Sequence, residues 1–430
     1  MQCESIIPGF SRRNFLRFSL GAGAGVAAAS LPHSILAQQT QAKQASGRTA
    51  KAVIMLWMGG GPSQLDTWDP KPGTKNGGEF KAIETTGGPN MKFSEYMKVC
   101  ATQGKHISLI RSMATHEGAH EIGTSLMHIG IKPVQGLEIP ATGTVVSFEK
   151  GKSDFPLPHF IAIDPPLIPQ ASTFGEDYMP FRLNNAENPI PNIRRNVDAN
   201  RDKERAALLL DQNKEWDGKR QQKEVTKVEN SYVKSEEIMN TPLLKAFNYQ
   251  EEPADLRAAY GDRFGINCLL ARRLVQAGCS FIEIGMGGWD MHADVFGNCK
   301  RMLPTLDSGM GTLIKDLAEK DMLKETMVMW CGEFGRTPSI NAGKGRDHHA
   351  DGFSVVLAGG GLAGGRVHGD TGPSGDGCQQ PVPVHNLFAT IYKACGIDPD
   401  KKYEAGGRKI KYASINGAVT SKVTPVADLF

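Results

Sequence analysis

Residues 51–58 (Lys-Ala-Val-Ile-Met-Leu-Trp-Met) form an apolar run with no polar alternation, and it breaks abruptly into Gly59-Gly60-Gly61-Pro62. A strand with one face in water alternates apolar and polar residues. One as uniformly apolar as this reads as covered on both faces, the condition of a parallel strand between two layers of helices. Shorter runs at 106–110, 159–163, 281–284, 326–330 and 353–358 read as further strands. Segments at 121–129, 256–277, 302–317 and 385–395 read as helices between them. Strands alternating with helices imply a mainly parallel sheet covered on both sides, an α/β fold.

Ahead of the first strand, Ser11-Arg12-Arg13-Asn14-Phe15-Leu16 sets two adjacent arginines before a Gly/Ala-rich stretch that ends at Ile35-Leu36-Ala37. That stretch falls short of the about 20 apolar residues that a spanning helix takes. A positive start, a short apolar core and a small-residue exit mark a removable signal. The arginine pair predicts export by the twin-arginine route, to the periplasm or beyond, with the translocase as a transient partner. Residues 1–37 are thus read as signal, 38–50 as a polar linker and 51–430 as the folded domain. No later segment is long enough to form a stable membrane span. A net charge of +3 gives no reason to expect nucleic acid or an acidic membrane surface. Beyond the signal, Cys100, Cys268, Cys279, Cys299, Cys331, Cys378 and Cys395 are scattered without Cys-x-x-Cys spacing. They argue against a thiolate zinc site, and an oxidising compartment would permit one or two disulfides whose pairing is not readable. From 194 to 237 both charge signs are densely mixed, which reads as a solvated helical insertion within about 190–250.

In open α/β sheets ligands gather at the carboxyl ends of the strands. The acidic and imidazole side chains fall there. The first strand leads into Gly59-Gly60-Gly61-Pro62-Ser63-Gln64-Leu65-Asp66, and the strand at 281–284 into Gly288-Trp289-Asp290-Met291-His292. The strand at 326–330 leads into Cys331-Gly332-Glu333-Phe334-Gly335-Arg336, with Gly345-Arg346-Asp347-His348-His349 soon after. Carboxylates and imidazoles from several loops offer lone pairs to a divalent cation. Arg336 or Arg346 could fork an anion. Each residue also has a plainer reading: an Asp after a strand is commonly a turn or helix cap, and a His beside a helix is commonly packed. Gly359-Gly360-Gly361-Leu362-Ala363-Gly364-Gly365 lacks the Lys-Ser/Thr of a phosphate loop and reads as a tight turn between strands.

These motifs resemble the bacterial domain-of-unknown-function family 1501, a set of mostly twin-arginine-exported, sulfatase-like proteins. The resemblance rests on residues 58–67, Trp289-Asp290-Met291-His292, residues 332–338 and Gly345-Arg346-Asp347-His348, with Ala271-Arg272-Arg273-Leu274 fitting too. That family is itself similar to the alkaline phosphatase and sulfatase superfamily. The resemblance implies an alkaline-phosphatase-like three-layer α/β/α sandwich around a mostly parallel sheet, holding a divalent metal such as zinc, calcium or manganese. It implies Asp66 as the first-strand carboxylate, Asp290 and His292 as an Asp-plus-His pair, Glu333 at an Asp position, and Asp347 with His348 at the late histidine ligand. Phe334 departs from the histidine of the superfamily's Asp-His dipeptide, which weakens one metal site. Counting back ten residues from Gly130 to the superfamily's nucleophile position lands on His120, not on Ser, Thr or Cys. His120 is therefore expected as a metal ligand, a general base, an unusual nucleophile or only the cap of the helix at 121.

The leading expectation is an exported metal-dependent hydrolase of phosphate or sulfate esters, acting on a small anionic substrate. The alternative is a non-catalytic secreted protein of the same fold that binds metal or a partner, docking through the charged insertion.

Overall fold

In the computed structural model the described residues are 49–430, except 135, 166–172, 188–189, 191–192, 194–196, 218–221 and 415–422. The expected signal and all but the last two residues of the expected linker lie outside them.

The first apolar run becomes β1 (Ala52–Gly59). After it come β2 (Ile107–Ala114), β3 (Phe160–Ile163), β4 (Phe181–Leu183), β5 (Phe281–Gly287), β6 (Thr326–Cys331), β7 (Asp351–Gly359), β8 (Arg366–His368) and β9 (Val382–Pro383). They form one sheet in the order β8-β2-β7-β6-β1-β5-β3-β4, with β9 also pairing with β2. β1 sits between two parallel neighbours, Val53 opposite Phe281 on one side and Met327 on the other. Among the described strands of this sheet only β7 runs the other way, antiparallel to both β6 and β2. The sheet is mostly parallel.

Both faces of β1 are covered, which explains its lack of alternation. Ile54, Leu56 and Met58 enter one apolar core with Ile282, Ile284, Val328 and Trp330. Val53, Met55 and Trp57 enter the opposite core with Phe281, Met327 and Met329. The longer α-helices are α1 (His120–Ile129), α2 (Thr142–Lys150), α3 (Ala199–Asp217), α4 (Gln222–Asn240), α5 (Ala254–Tyr260), α6 (Arg263–Ala277), α7 (Val295–Glu319) and α8 (Val384–Ala394). Leu269 and Leu274 of α6 and Leu303 and Leu313 of α7 fill the first core. Leu126 of α1, Val145 of α2 and Leu387 of α8 fill the second. The arrangement is the expected three-layer α/β/α sandwich.

Two helices differ from their sequence reading. The helix expected over 256–277 is broken into α5 and α6 at Gly261, whose φ is +86°, and the Asp262 carboxylate then caps α6 by accepting from the Phe264 N–H. α7 starts before the expected residue 302 because Asp294 caps it, accepting from the Gly297 N–H at 3.1 Å. The charged insertion contains the α3 and α4 helices, with Leu208, Tyr232 and Val233 exposed. All seven described cysteines are free. No described helix is long and apolar enough to cross a membrane.

Candidate metal centre

β1, β5 and β6 are parallel, so their carboxyl ends share one edge and their following loops deliver Gly60, Asp290 and Glu333 to it. β2 ends at the same edge and leads to α1, whose first residue is His120. β7 runs oppositely and so begins there. A two-residue hairpin just before it pairs His348 with Arg336 and His349 with Gly335. The approach of the β1 and β5 loops needs a glycine: at Gly60, φ is +113° and a Cβ would overlap the Asp290 nitrogen. The Gly60 N–H donates to Glu333 Oε1 at 2.8 Å.

Three imidazoles converge on the Asp290 carboxylate. His120 Nε2 lies 3.4 Å from Oδ2, while His292 Nε2 and His348 Nε2 lie 3.0 and 3.2 Å from Oδ1. Each ring is held at its other nitrogen by an acceptor that has no proton to give. His120 Nδ1 meets Glu333 Oε1 at 2.7 Å, His292 Nδ1 meets Asp347 Oδ1 at 2.8 Å, and His348 Nδ1 meets the Gly118 carbonyl at 2.8 Å. In the neutral rings the proton therefore sits on Nδ1, and every Nε2 presents a bare lone pair. His292 Nε2 and His348 Nε2 are only 3.0 Å apart. Lone pairs gathered this closely around a carboxylate repel unless a positive charge lies among them. This is the arrangement of imidazole metal ligands, in which the second ring N–H is fixed by a carboxylate or carbonyl.

Two further observations fit a cation. His120, Asp290 and His348 offer ligand atoms all within 4.8 Å of one another. His120 Nε2 and Glu333 Oε2 are buried atoms without a hydrogen-bond partner. The centre is also reachable, since the side chains of Asp290 and His292 remain 45% and 47% exposed. Burial opposes the charge of Asp290. The hydrogen bond and the charge of Arg336 outweigh it, holding the carboxyl below its usual value. Asp347 is likewise lowered, chiefly by its hydrogen bonds to His292 and Asn341.

The structure brings together Asp290, His292, Glu333, Asp347, His348, His120 and Arg336, but in unequal roles. Asp290 and the three imidazoles face inward, whereas Glu333 and Asp347 stand behind His120 and His292. Asp66 departs from the expected ligand set. Its carboxylate is fully buried and accepts from Arg346 Nε at 2.7 Å and from the Ser63 hydroxyl at 2.5 Å.

The anion-binding expectation for the two arginines is corrected as well. Arg346 is fully buried, and it donates to Asp66 and to the carbonyls of Asn76, Thr337 and Pro338. Arg336 is equally buried and donates to Asp290, Gly60, Gly61 and the Arg346 carbonyl. Neither guanidinium has a free edge for a ligand. His120 is not a cap either: the cap position belongs to Ala119, which has no side-chain hydrogen bond. Phe334 is a packing residue, its ring 4.5 Å from His348 and 5.0 Å from His120 between centroids.

Sequence reasoning missed two supports and read a third, His128, only as a histidine packed beside a helix. The Gly118 carbonyl carries no side-chain signal. Asn341 Nδ2 donates to Asp347 at 3.2 Å and to the His292 carbonyl at 3.0 Å. Below the centre His128 of α1, fully buried, meets Glu283 of β5 at 3.2 Å and ties that helix to the sheet.

The family model described as "Protein of unknown function (DUF1501)" matches residues 50–424. The chain belongs to the DUF1501 family. No curated protein matches it. Among solved structures this DUF1501 member is similar to Ps i-CgsB in complex with k-i-k-neocarrahexaose, at 10% identity and a TM-score of 0.41 over 82% of this chain and 73% of that one. It is similar to the PsFucS1 sulfatase from Pseudoalteromonas sp., at 10% identity and a TM-score of 0.39 over 84% and 70%. It is also similar to alkaline phosphatase from the Antarctic bacterium TAB5, at 13% identity and a TM-score of 0.32 over 81% and 99%.

Proposed function

We propose that this DUF1501 protein is an exported hydrolase of phosphate or sulfate esters that depends on one divalent metal ion. The observation that carries the reading is the set of three bare imidazole nitrogens around Asp290, each fixed by an acceptor at Nδ1. His120, His348 and Asp290 would hold the ion, with His292 Nε2 beside them 3.0 Å from His348 Nε2. A set rich in imidazole suits zinc or manganese better than calcium, which prefers oxygen ligands. Such an ion supplies a Lewis acid for the ester oxygen and lowers the pKa of an attacking water.

The chain's own residues orient and hold charge. Glu333, Asp347 and the Gly118 carbonyl fix the three rings, and Arg336 keeps Asp290 ionised. α1 begins at the centre with no side-chain cap, so its first-turn N–H groups are suited to a substrate oxygen. His120 is committed as a ligand, and the cluster holds no Ser, Thr or Cys. Attack by water, without a covalent enzyme intermediate, follows.

The test is metal analysis and titration of the purified chain together with a panel of aryl phosphate and sulfate esters. One ion per chain is expected, with affinity lowered at least tenfold in Asp290→Asn and His348→Ala. A wild-type chain that takes up no zinc or manganese, or variants that bind as tightly as wild type, would refute the centre. The exposed Leu208, Tyr232 and Val233 favour a second reading, a partner-binding protein. Stoichiometric metal with no turnover of any ester would turn the choice to it.

A further inference from the structure

We infer that the centre accepts singly charged tetrahedral esters and rejects doubly charged ones; the inference rests on the metal reading above. The balance of charge at the centre sets this preference. Asp290, Glu333 and Asp347 bring three carboxylates, and Arg336 brings one guanidinium against Asp290 at 2.6 Å. The buried Asp66–Arg346 pair cancels itself. The excess is two negative charges, which a divalent ion neutralises, leaving a site with no net charge for the substrate.

A phosphate monoester at alkaline pH carries two negative charges. Its second charge needs a further cation, and both guanidinium groups of the site are fully buried and turned to protein acceptors. The rim adds carboxylates instead. Glu121 is exposed at the start of α1, Glu117 spends itself on Lys132 at 3.1 Å, and Asp351 faces His116 at 2.8 Å. The partial positive charge of the α1 N-terminus is worth about half an elementary charge. That suits one charge spread over a tetrahedral group, the condition of a sulfate monoester or a phosphodiester. Hydrolysis of either gives a product that gains a negative charge, so the same imbalance promotes its release.

The experiment compares two non-hydrolysable ligands of the same shape by calorimetric titration at pH 8 on the zinc-loaded protein. Phenylsulfonate carries one charge and phenylphosphonate two. The sulfonate is expected to bind at least tenfold tighter, and the gap should close at lower pH as the phosphonate takes up a proton. Asp347→Asn keeps an acceptor for His292 but removes a charge at the mouth, and should cut the preference by roughly three- to tenfold. Equal or tighter phosphonate binding, no binding of either ligand, or an unmoved ratio in Asp347→Asn would overturn the inference. Failure of the metal reading is separate, because it appears as absent zinc uptake before any ligand is added. Turnover of an aryl sulfate against a methyl aryl phosphodiester then assigns which singly charged ester is used.

Discussion

The replacement Asp66→Asn separates a structural carboxylate from a metal-binding one. Asp66 and Arg346 are both fully buried, joined at 2.7 Å between Oδ2 and Nε, with a second contact of 3.3 Å between Oδ1 and the guanidinium. Removing one partner of such a pair leaves a buried charge uncompensated and costs about 3–5 kcal/mol. Unfolding about 380 residues at roughly 2.1 cal/mol/K each gives an entropy near 0.8 kcal/mol/K, so Tm should fall by about 4–6 °C. Metal content should not change, because no atom of Asp66 enters the cluster around Asp290. Scanning calorimetry beside elemental analysis reads both quantities. The double replacement Asp66→Leu with Arg346→Met removes both charges and should recover part of the loss. A variant that keeps its Tm and loses its metal would refute this reasoning and restore Asp66 as a ligand.

His128 should give stability a pH dependence. Burial alone would lower its pKa, but the Glu283 carboxylate and the Thr124 carbonyl hold it above the usual imidazole value. A raised folded value means that its stabilisation is complete below the unfolded value of about 6.5 and is lost as pH rises through the folded one. The Tm of wild type should therefore decline above about pH 6.5 by an increment that His128→Gln lacks, and parallel curves would exclude the effect. Export should depend on the arginine pair: with Arg12→Lys and Arg13→Lys the precursor is expected to stay in the cytoplasm. Undiminished export of that variant would exclude the twin-arginine route.

The six longer strands were legible because burial on both faces writes itself as continuous apolar sequence, whereas β4, β8 and β9, of two or three residues each, carry no such run. The inward residues of the centre were legible because they lie in loops after those strands. What the sequence withheld was long-range. The apolar run of β7 looks the same in either direction, so its antiparallel course, which brings His348 to the edge from the strand's beginning, has no local signature. The pairing of Asp66 with Arg346 spans 280 positions, and a carboxylate that meets a guanidinium cannot be told from one that meets a metal by its neighbours in sequence. The break before α6 was a different kind of omission. Gly261-Asp262 is a helix stop followed by a cap, but the amphipathic spacing continues across it and hides the boundary.

The place of β1 at the centre of the sheet also sets a timetable for synthesis. It is the first of the described strands in chain order, and its two partners are residues 281–287 and 326–331. At about 5–20 residues per second, roughly 15–55 s pass before the second of them has been made. Until residues 281–287 are made, a strand of Val, Ile, Met, Leu and Trp has both hydrogen-bonding edges open, and one edge stays open until 326–331 follow, the form of chain most prone to pair with a stranger. Residues 52–59 are thus where the unfinished chain is most exposed to mispairing, early in synthesis and until late in it.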